Sequence, residues 1–249
     1  MVEIRNIKIG EGQPKICMPV VDTTDCDIIK TIRDTKSLPY DLIELRIDCY
    51  ENLNDDEKVL GLLKQIRKNV DCPILFTCRS ISEGGKSALS EEQYINLMMK
   101  VIDSQCVDLI DVEINKSLKA IYSLVEYAHQ FHHNVVMSYH DFEKTPKMED
   151  MVEILEKMEV MGGDILKIAV MPMSKKDVMC VMNTSMMMSS KLKQPLIMIS
   201  MGELGKVTRI AGSLTGSSVT FASAALSSAP GQMGICEMKV VLDAIGSEI

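Results

Sequence analysis

The sequence lacks several features that would assign a protein to a class at once. Its 249 residues contain no tryptophan, and no apolar run approaches the length that crosses a membrane. Residues 1–15 lack the apolar segment of a secretory signal peptide. No G-x-G-x-x-G motif follows the first predicted strand, which disfavours a dinucleotide-binding sheet. We therefore expect a protein without a membrane partner.

Positive charge and paired cysteines are also scarce. The chain has 27 Lys and Arg against 35 Asp and Glu, and the resulting net charge of −8 argues against a nucleic-acid partner. An anionic small molecule is not excluded, because it responds to local arginines. Eight scattered cysteines without a C-x-x-C pair favour reduced thiols in the cytoplasm over a disulfide framework or a zinc site.

Methionine, by contrast, is abundant. The 20 methionines are interpreted as core packing, because this flexible apolar side chain fills irregular gaps. We include the cluster Met186–Met188 in that interpretation. Apolar residues make up 46% of the chain and charged residues 25%, which is typical of a soluble globular protein. The length suits two modest domains or one large barrel.

An apolar strand followed by an amphipathic helix recurs along the chain. Eight such strands are predicted, at residues 15–19, 41–48, 73–79, 108–114, 134–141, 164–170, 195–202 and 217–223. Eight alternating units predict one domain, residues 1–249, with the α/β fold of a (β/α)8 TIM barrel. Residues 1–14 alternate weakly and predict an N-terminal β-hairpin outside the repeat. A doubly wound open sheet is the alternative fold.

Apolar faces at helical spacing and capping residues predict the helices between the strands. Residues 55–69 and 175–191 have such faces, and residues 90–93 form a capping-box pattern. Thr145 followed by Pro146 predicts an N-cap with proline at the first helical position. The last helix is predicted from about residue 237, with an inward face formed by Val240, Val241 and Ala244.

Alternation along the strands places polar side chains inside the barrel. Glu44, Arg46 and Asp48 share one face of the second strand, and the opposite face is apolar and must meet the helices. The inward polar residues lie mostly late in their strands, at the end where barrel enzymes carry their chemistry. Those on the other strands are Thr77, Arg79, Asp111, Glu113, Ser138, His140 and Lys167.

Each of these residues also has an ordinary structural explanation. Lys167 lies in an apolar strand and could extend its ammonium into water, and the carboxylates could form buried ion pairs. A single histidine is more often a satisfied interior residue than a catalyst. Together, however, one barrel end would carry a lysine, a histidine, several carboxylates and two arginines, which favours an active site. A deprotonated lysine there would form a Schiff base with a carbonyl substrate.

Five short motifs span nearly the whole chain in a fixed order. They are E-L-R-I-D at 44–48, F-T-C-R-S at 76–80 with E-G-G at 83–85, M-S-Y-H-D-F at 137–142, K-I-A-V-M-P at 167–172 and S-A-P-G-Q at 228–232. As an ordered set they resemble type I 3-dehydroquinate dehydratase. The resemblance implies a homodimeric TIM barrel that dehydrates 3-dehydroquinate to 3-dehydroshikimate in the shikimate pathway of aromatic amino acid biosynthesis. It implies no metal and no cofactor.

The resemblance also implies roles for individual residues. Lys167 matches the Schiff-base lysine, His140 the general acid and base, and Glu83 the carboxylate that orients the imidazole. Arg209 matches the arginine that pairs with the substrate carboxylate, and arginines near an amine help to lower its pKa. The other implied substrate contacts are Glu44, Arg46, Arg79, Ser228 and Gln232.

Two further expectations concern the loop after the last strand and the reaction itself. Residues 224–236 are interpreted as a lid, because small residues surround Pro230 and Gly231. A class I aldolase-like barrel would use the same lysine chemistry, with residues 202–216 as a phosphate loop. A barrel that binds without catalysis is the third reading.

Overall fold

Eight parallel strands form a sheet that curves round and closes on itself. The structure is a computed structural model and describes residues 1–224 and 228–246. All eight predicted strands are present, most of them shorter by one or two residues at their ends, and the predicted barrel fold is confirmed. In chain order the strands are β1 (Val2–Ile4), β2 (Ile7–Ile9), β3 (Lys15–Val20), β4 (Leu42–Arg46), β5 (Ile74–Thr77), β6 (Leu109–Glu113), β7 (Asn134–Asp141), β8 (Ile165–Val170), β9 (Leu196–Ser200), β10 (Val219–Ser223) and β11 (Met233–Gly234).

The strand order around the barrel follows the chain from β3 to β9, with β10 beside β3. A parallel bridge between Leu196 and Ser217 joins β9 to the chain just before β10. The Ser218 N–H also donates to the Leu196 carbonyl at 2.7 Å. The two-residue strand β11 pairs with the end of β10 and lies outside the barrel wall.

Helices cover the outside of the barrel because the strands turn one apolar face towards them. The described helices are α1 (Asp25–Asp34), α2 (Asp56–Asn69), α3 (Glu91–Asp103), α4 (Leu118–Gln130), α5 (Met148–Val160), α6 (Lys175–Lys191), α7 (Gly202–Ile210), α8 (Gly212–Thr215) and α9 (Ile235–Gly246). Short 3₁₀ turns follow β4 at Ile47–Cys49 and β5 at Ile81–Glu83. The capping box predicted at Ser90 and Gln93 is present.

Two helix predictions are wrong in detail. Helix α5 begins at Met148 rather than after Thr145, because the Thr145 hydroxyl donates to the Met171 carbonyl instead of capping a helix. Helix α9 buries Ile235, Met238 and Leu242, so the predicted inward face of Val240, Val241 and Ala244 is rotated. Val240 is 68% exposed.

The cluster of methionines in α6 is only partly in the core. Met188 is fully buried, whereas Met186 is 52% exposed and Met187 is 43% exposed. Three consecutive helical residues point in three directions, so they cannot all face the barrel. The interpretation of the whole cluster as core is therefore wrong for two of its three members.

The predicted N-terminal hairpin is confirmed and closes the lower end of the barrel. Strands β1 and β2 pair antiparallel outside the barrel sheet. Ile4, Ile7 and Ile9 pack against inward residues from the starts of the strands, among them Leu75 and Leu109. This apolar cluster fills the bottom of the barrel and leaves the polar residues at the opposite end.

A repeated contact fixes the beginnings of the strands. Asp41, Asp108 and Asp164 each stand directly before a strand, and each accepts a backbone N–H from the strand before it. The hydroxyl of Ser217 does the same for Met198 in β9. Four side chains thus tie the strands together in pairs, β3 with β4, β5 with β6, β7 with β8 and β9 with β10.

Two further observations concern the state of the cysteines and the length and apolar content of the helices. All eight cysteines are free thiols. Across residues 1–224 and 228–246, no helix has both the length and the apolar content that a membrane crossing requires.

Candidate active site

A cavity opens at the carboxyl ends of the strands, with about 460 Å³ of empty space that includes its open mouth. Parallel strands deliver their last side chains to one end of the barrel, which is why residues from distant parts of the sequence meet there. All nine predicted site residues line this cavity, and their roles stay predictions. They are Glu44, Arg46, Arg79, Glu83, His140, Lys167, Arg209, Ser228 and Gln232.

Lys167 points into the cavity from the middle of β8 and is 4% exposed. Its Nζ lies 3.7 Å from Oε1 of Glu44 on β4. The same nitrogen lies 4.4 Å from the centre of the Phe221 ring, on β10, in a cation–π contact. A carboxylate and an aromatic face therefore define where the amine sits, and both stabilise a positive charge at that nitrogen.

His140 lies on β7, the neighbour of the strand that carries Lys167. Ser138 pairs with Lys167 and His140 pairs with Ala169, so the imidazole stands one step nearer the mouth than the amine. The His140 Nδ1 is 2.9 Å from Oε2 of Glu83, and the His140 backbone N–H donates to the same oxygen at 3.1 Å. A proton on Nδ1 leaves Nε2 with a lone pair.

Burial, and then the positive charges of Arg79, Lys167 and Arg46, hold the pKa of His140 well below its usual value. The imidazole is therefore neutral near pH 7 and can accept a proton. A neutral base beside a lysine amine is the combination that proton removal next to an iminium requires.

Glu83 is held from several sides in the turn after β5. Asn115 Nδ2 donates to its Oε1 at 2.9 Å, and Arg79 Nη1 donates to its Oε2 at 3.4 Å. Burial, together with the carboxylates of Glu113 and Asp111, raises the pKa of Glu83, while Arg79 opposes the rise. A more basic carboxylate accepts a stronger hydrogen bond from the imidazole and would stabilise an imidazolium at this position.

A buried network around Arg79 supports the histidine and its carboxylate. Arg79 Nη2 donates to Asp111 at 2.6 Å, and Nη1 donates to Ser138 at 2.8 Å and to Glu113 at 3.1 Å. Burial alone would lower the Arg79 pKa, but the surrounding carboxylates raise it, so the guanidinium stays charged. Because most N–H donors of Arg79 bind protein groups, its side chain is held in one position in the cavity wall.

Arg46 approaches the cavity from the end of β4. Its Nε and Nη2 donate to the two oxygens of Asp48 at 2.8 and 2.9 Å. Burial opposes the charge, but the bonds to Asp48 and the nearby Glu44 outweigh it and raise the pKa of Arg46. The bidentate pair leaves Arg46 Nη1 for a ligand.

Arg209 provides the other guanidinium, from helix α7, and is 2% exposed. Nη2 donates to the Pro230 carbonyl at 3.0 Å, whereas Nε and Nη1 are buried without a hydrogen-bond partner in the described parts of the chain. Burial lowers the pKa of Arg209 to about 10. Buried unpaired donors are costly, so a carboxylate that reached them would be bound strongly.

The comparisons with known proteins agree on one family. The model of the family described as type I 3-dehydroquinase matches residues 16–249, which is nearly the whole chain. The chain belongs to the type I 3-dehydroquinase family.

Relatives match along nearly the full length of the chain. The 3-dehydroquinate dehydratase of Listeria welshimeri is 41% identical over 243 residues, covering 97% of this chain and 96% of the relative. The structure of the Clostridium difficile enzyme with covalently modified comenic acid has a TM-score of 0.97 at 39% identity and covers 100% and 98% of the two chains. The Geobacillus kaustophilus structure has a TM-score of 0.96 at 35% identity and covers 99% and 96%.

Sequence reasoning missed the apolar wall of the cavity. The missed residues are Phe142, Ala169, Ile199, Met201, Phe221 and Ala229. Alternation along β8, β9 and β10 would have found the strand residues, but an inward apolar side chain looks the same in a core and in a binding site.

Steric crowding explains why both positions after Glu83 in the E-G-G motif are glycines. A Cβ on Gly84 would stand 2.3 Å from the Phe142 ring, and one on Gly85 would stand 2.2 Å from the Arg79 carbonyl oxygen.

The loop predicted to act as a lid covers residues 224–236, of which 225–227 lie outside the described residues. Two hydrogen bonds join Ser228 and Gln232. The Ser228 N–H donates to Gln232 Oε1 at 3.0 Å, and Gln232 Nε2 donates to the Ser228 hydroxyl at 2.9 Å. Gly231, at φ +77°, is packed against Gly202, where a Cβ would stand 2.3 Å from the carbonyl oxygen. The described part of the loop is thus anchored over Arg209, and its movement stays a prediction.

Proposed function

We propose that this chain dehydrates 3-dehydroquinate to 3-dehydroshikimate in the shikimate pathway, through an iminium on Lys167. One observation carries the proposal. A single cavity is lined by a buried amine, a neutral imidazole held by a carboxylate, and a guanidinium with two donors that have no partner among the described residues. The amine suits a ketone, the imidazole suits an adjacent C–H, and the guanidinium suits a carboxylate.

The reaction begins at the ketone. The Lys167 amine attacks the carbonyl carbon, and loss of one water from the addition product gives a protonated imine. Its positive charge lies where Glu44 and the Phe221 ring surround Nζ, and both groups stabilise a cation there. The iminium withdraws electrons from the neighbouring carbon and so makes its proton removable by an imidazole.

His140 then moves the proton. Nε2 takes the proton from the carbon beside the iminium, and the electron pair forms an enamine. The enamine expels the hydroxyl from the next carbon, and the imidazolium returns the proton to it, so that water leaves. Hydrolysis of the conjugated iminium consumes one water and releases the enone product and the free amine.

The remaining polar residues hold the substrate for these steps. We assign the substrate carboxylate to Arg209, where two donors are buried without a partner in residues 1–224 and 228–246, with Ser228 and Gln232 also in the cavity lining. Glu44 and Arg46 line the same cavity from β4 and suit the substrate hydroxyls. Arg79 stabilises the carboxylates around His140, and its contact with substrate is secondary.

The decisive test follows the enone absorbance on addition of 3-dehydroquinate and traps the imine with borohydride. The wild-type chain is expected to form product and, with borohydride, to gain one adduct on Lys167. Lys167→Ala removes the amine and should abolish both signals. Lys206→Ala, which removes a half-exposed lysine paired with Glu203 on α7, is the matched control and should keep both signals.

Three outcomes would contradict this mechanism. Activity that survives Lys167→Ala unchanged would exclude the iminium. An adduct on another lysine would move the reactive amine elsewhere. Release of two carbon fragments instead of an enone and water would indicate aldolase-like cleavage.

We further propose that the whole chain, residues 1–249, acts as one barrel domain and as a homodimer in the cytoplasm. The resemblance to the family supports the dimer, and eight free thiols suit a reducing compartment. Among the described residues, no group of three or more His, Cys, Asp or Glu side chains is placed to hold a metal ion. The steps above need only the protein's own groups and water.

A further inference from the structure

We propose that Asp48 is a positioning residue for the dehydration, acting through Arg46 and through the loop that carries Glu83. The inference rests on the proposed function. Asp48 ends the E-x-R-x-D motif, and the mechanism above gives it no role. Its side chain is fully buried, in the 3₁₀ turn that follows β4.

Four N–H groups converge on this one carboxylate. Oδ1 accepts from Arg46 Nε at 2.8 Å and from the Arg79 backbone N–H at 3.3 Å. Oδ2 accepts from Arg46 Nη2 at 2.9 Å and from the Lys86 backbone N–H at 3.1 Å. Both oxygens therefore bind one guanidinium nitrogen and one backbone nitrogen each.

The first consequence concerns the direction of Arg46. The two parallel bonds fix the plane of the guanidinium, because a planar fork can match a carboxylate in few orientations. Within residues 1–224 and 228–246, Nη1 is the one Arg46 nitrogen without a hydrogen-bond partner, and Arg46 lines the cavity. Asp48 thus aims this remaining donor at the substrate.

The second consequence concerns Glu83. Arg79 and Lys86 stand at the two ends of the loop that holds it, and the Ser87 N–H closes that loop on the Arg79 carbonyl at 3.1 Å. By binding both ends, Asp48 ties the loop to the end of β4. The distance from Glu83 to the imidazole of His140 depends on where this loop lies.

Replacing Asp48 with asparagine keeps the size of the side chain but removes one acceptor. Whichever way the asparagine amide is turned, its NH2 group would replace one of the two carboxylate oxygens. This NH2 group would then face the N–H of an Arg46 nitrogen and a backbone N–H, which are donors as well. We expect Arg46 and one end of the loop to move together. A misplacement of about 1 Å in a catalytic group costs on the order of 100-fold in rate.

The experiment measures KM, kcat and borohydride trapping for Asp48→Asn. The expected result is a KM several-fold higher, from the misdirected Arg46, and a kcat about 100-fold lower, from the displaced Glu83. Trapping of the imine persists, because Lys167 lies on another strand. Asp103→Asn is the control. Asp103 ends helix α3 outside the barrel, where it accepts the Tyr127 hydroxyl at 2.7 Å, and the substitution should leave both constants unchanged.

A double-mutant cycle with Arg46→Gln separates the two routes. If Asp48 acts on substrate binding through Arg46, Asp48→Asn no longer changes KM in the Arg46→Gln background, whereas its effect on kcat remains. Asp48→Glu keeps the charge and shifts the carboxylate by one methylene. It is the second variant, expected to change both constants in the same direction, if the asparagine variant does not fold.

Two results would overturn the inference. Constants within twofold of wild type in a folded Asp48→Asn would show that the four bonds have no role in the reaction. A loss that equals the unfolded fraction of the sample would show a purely structural role. A wild-type chain without dehydratase activity would overturn the proposed function and this inference together, whereas an active wild type leaves the Asp48 variants to decide.

Discussion

At the scale of single residues, the pair formed by His140 and Glu83 determines what the site can do with a proton. Burial lowers the pKa of the imidazole well below its usual value and raises that of the carboxylate, so the carboxylate is basic enough to share a proton with the imidazole. A proton taken from substrate is then held by the pair and can be given back to a leaving hydroxyl. In the proposed mechanism, His140 therefore serves both halves of the elimination.

Replacement of this histidine should separate imine formation from proton transfer. His140→Gln keeps a side chain of similar length but has no group that can take the proton, so we expect kcat to fall about 10²- to 10⁴-fold. Borohydride should still trap an adduct on Lys167. Near-normal turnover would show that another group removes the proton, and Gln105→Asn serves as a distant control.

The pH dependence of kcat/KM should reflect the lowered pKa of the buried His140 imidazole. The base works when neutral, and its lowered pKa keeps it neutral below the ordinary histidine value of about 6.5. The acid limb of the profile should therefore lie below pH ~6.5. Arg46→Met removes one of the positive charges that lower the pKa and should move this limb to higher pH. A wild-type limb at or above the ordinary value would contradict the assignment.

The charged residues of the site could be predicted from the sequence, but their partners could not. Alternation along β4, β7 and β8 puts Glu44, His140 and Lys167 on the inner face, because the outer face must be apolar. The bonds from Asp48 to the Arg79 and Lys86 backbones depend on how a loop folds back, and spacing along the chain contains no such information. Phe221 was missed because an inward aromatic is typical of any barrel core.

At the scale of elements, the barrel is organised by what happens at strand ends. Side chains of Asp41, Asp108, Asp164 and Ser217 bind the preceding strand at the lower end, and the catalytic groups stand at the upper end. A β-ladder alone permits slippage by a residue pair. These side-chain contacts favour one pairing of the strands and so bring the upper ends into the arrangement that the site needs.

Loss of one of these contacts should reduce stability rather than chemistry. Asp108 pairs with Arg5 and Arg67 and accepts the Ile74 N–H, so Asp108→Asn should lower the free energy of unfolding by about 1–3 kcal/mol. Asp56→Asn, which affects only an exposed pair with Lys100, should cost at most ~1 kcal/mol. Urea unfolding measures both. Equal decreases in the free energy of unfolding for the two variants would show that the contacts of Asp108 stabilise the chain no more than the exposed pair does.

The strands could be predicted more accurately than the helix faces. A strand buried on both sides is an apolar run of limited length, which the sequence displays directly. The inward face of α9 was wrong because apolar residues occupy most of its circumference, and only packing against the barrel selects Met238 and Leu242. The N-cap at Thr145 failed because its hydroxyl has a tertiary partner in Met171.

At the scale of the whole molecule, the predicted homodimer is open to a direct measurement. The chain has a mass of 27.7 kDa, so light scattering should give about twice that value over a range of concentrations. Large apolar side chains such as Leu214 and Met186 are exposed in the single chain, and a dimer would cover part of such surface. A mass of one chain at every concentration would contradict the prediction.

The hairpin at the lower end of the barrel has a kinetic consequence. Because Ile4, Ile7 and Ile9 fill that end, small molecules enter and leave the site through the upper mouth of the barrel. Substrate, product and the released water share this one route, and the product must depart before the next substrate can enter. Product inhibition should therefore be competitive with substrate, and the slow step of the cycle should become the exit of product whenever the chemistry is fast.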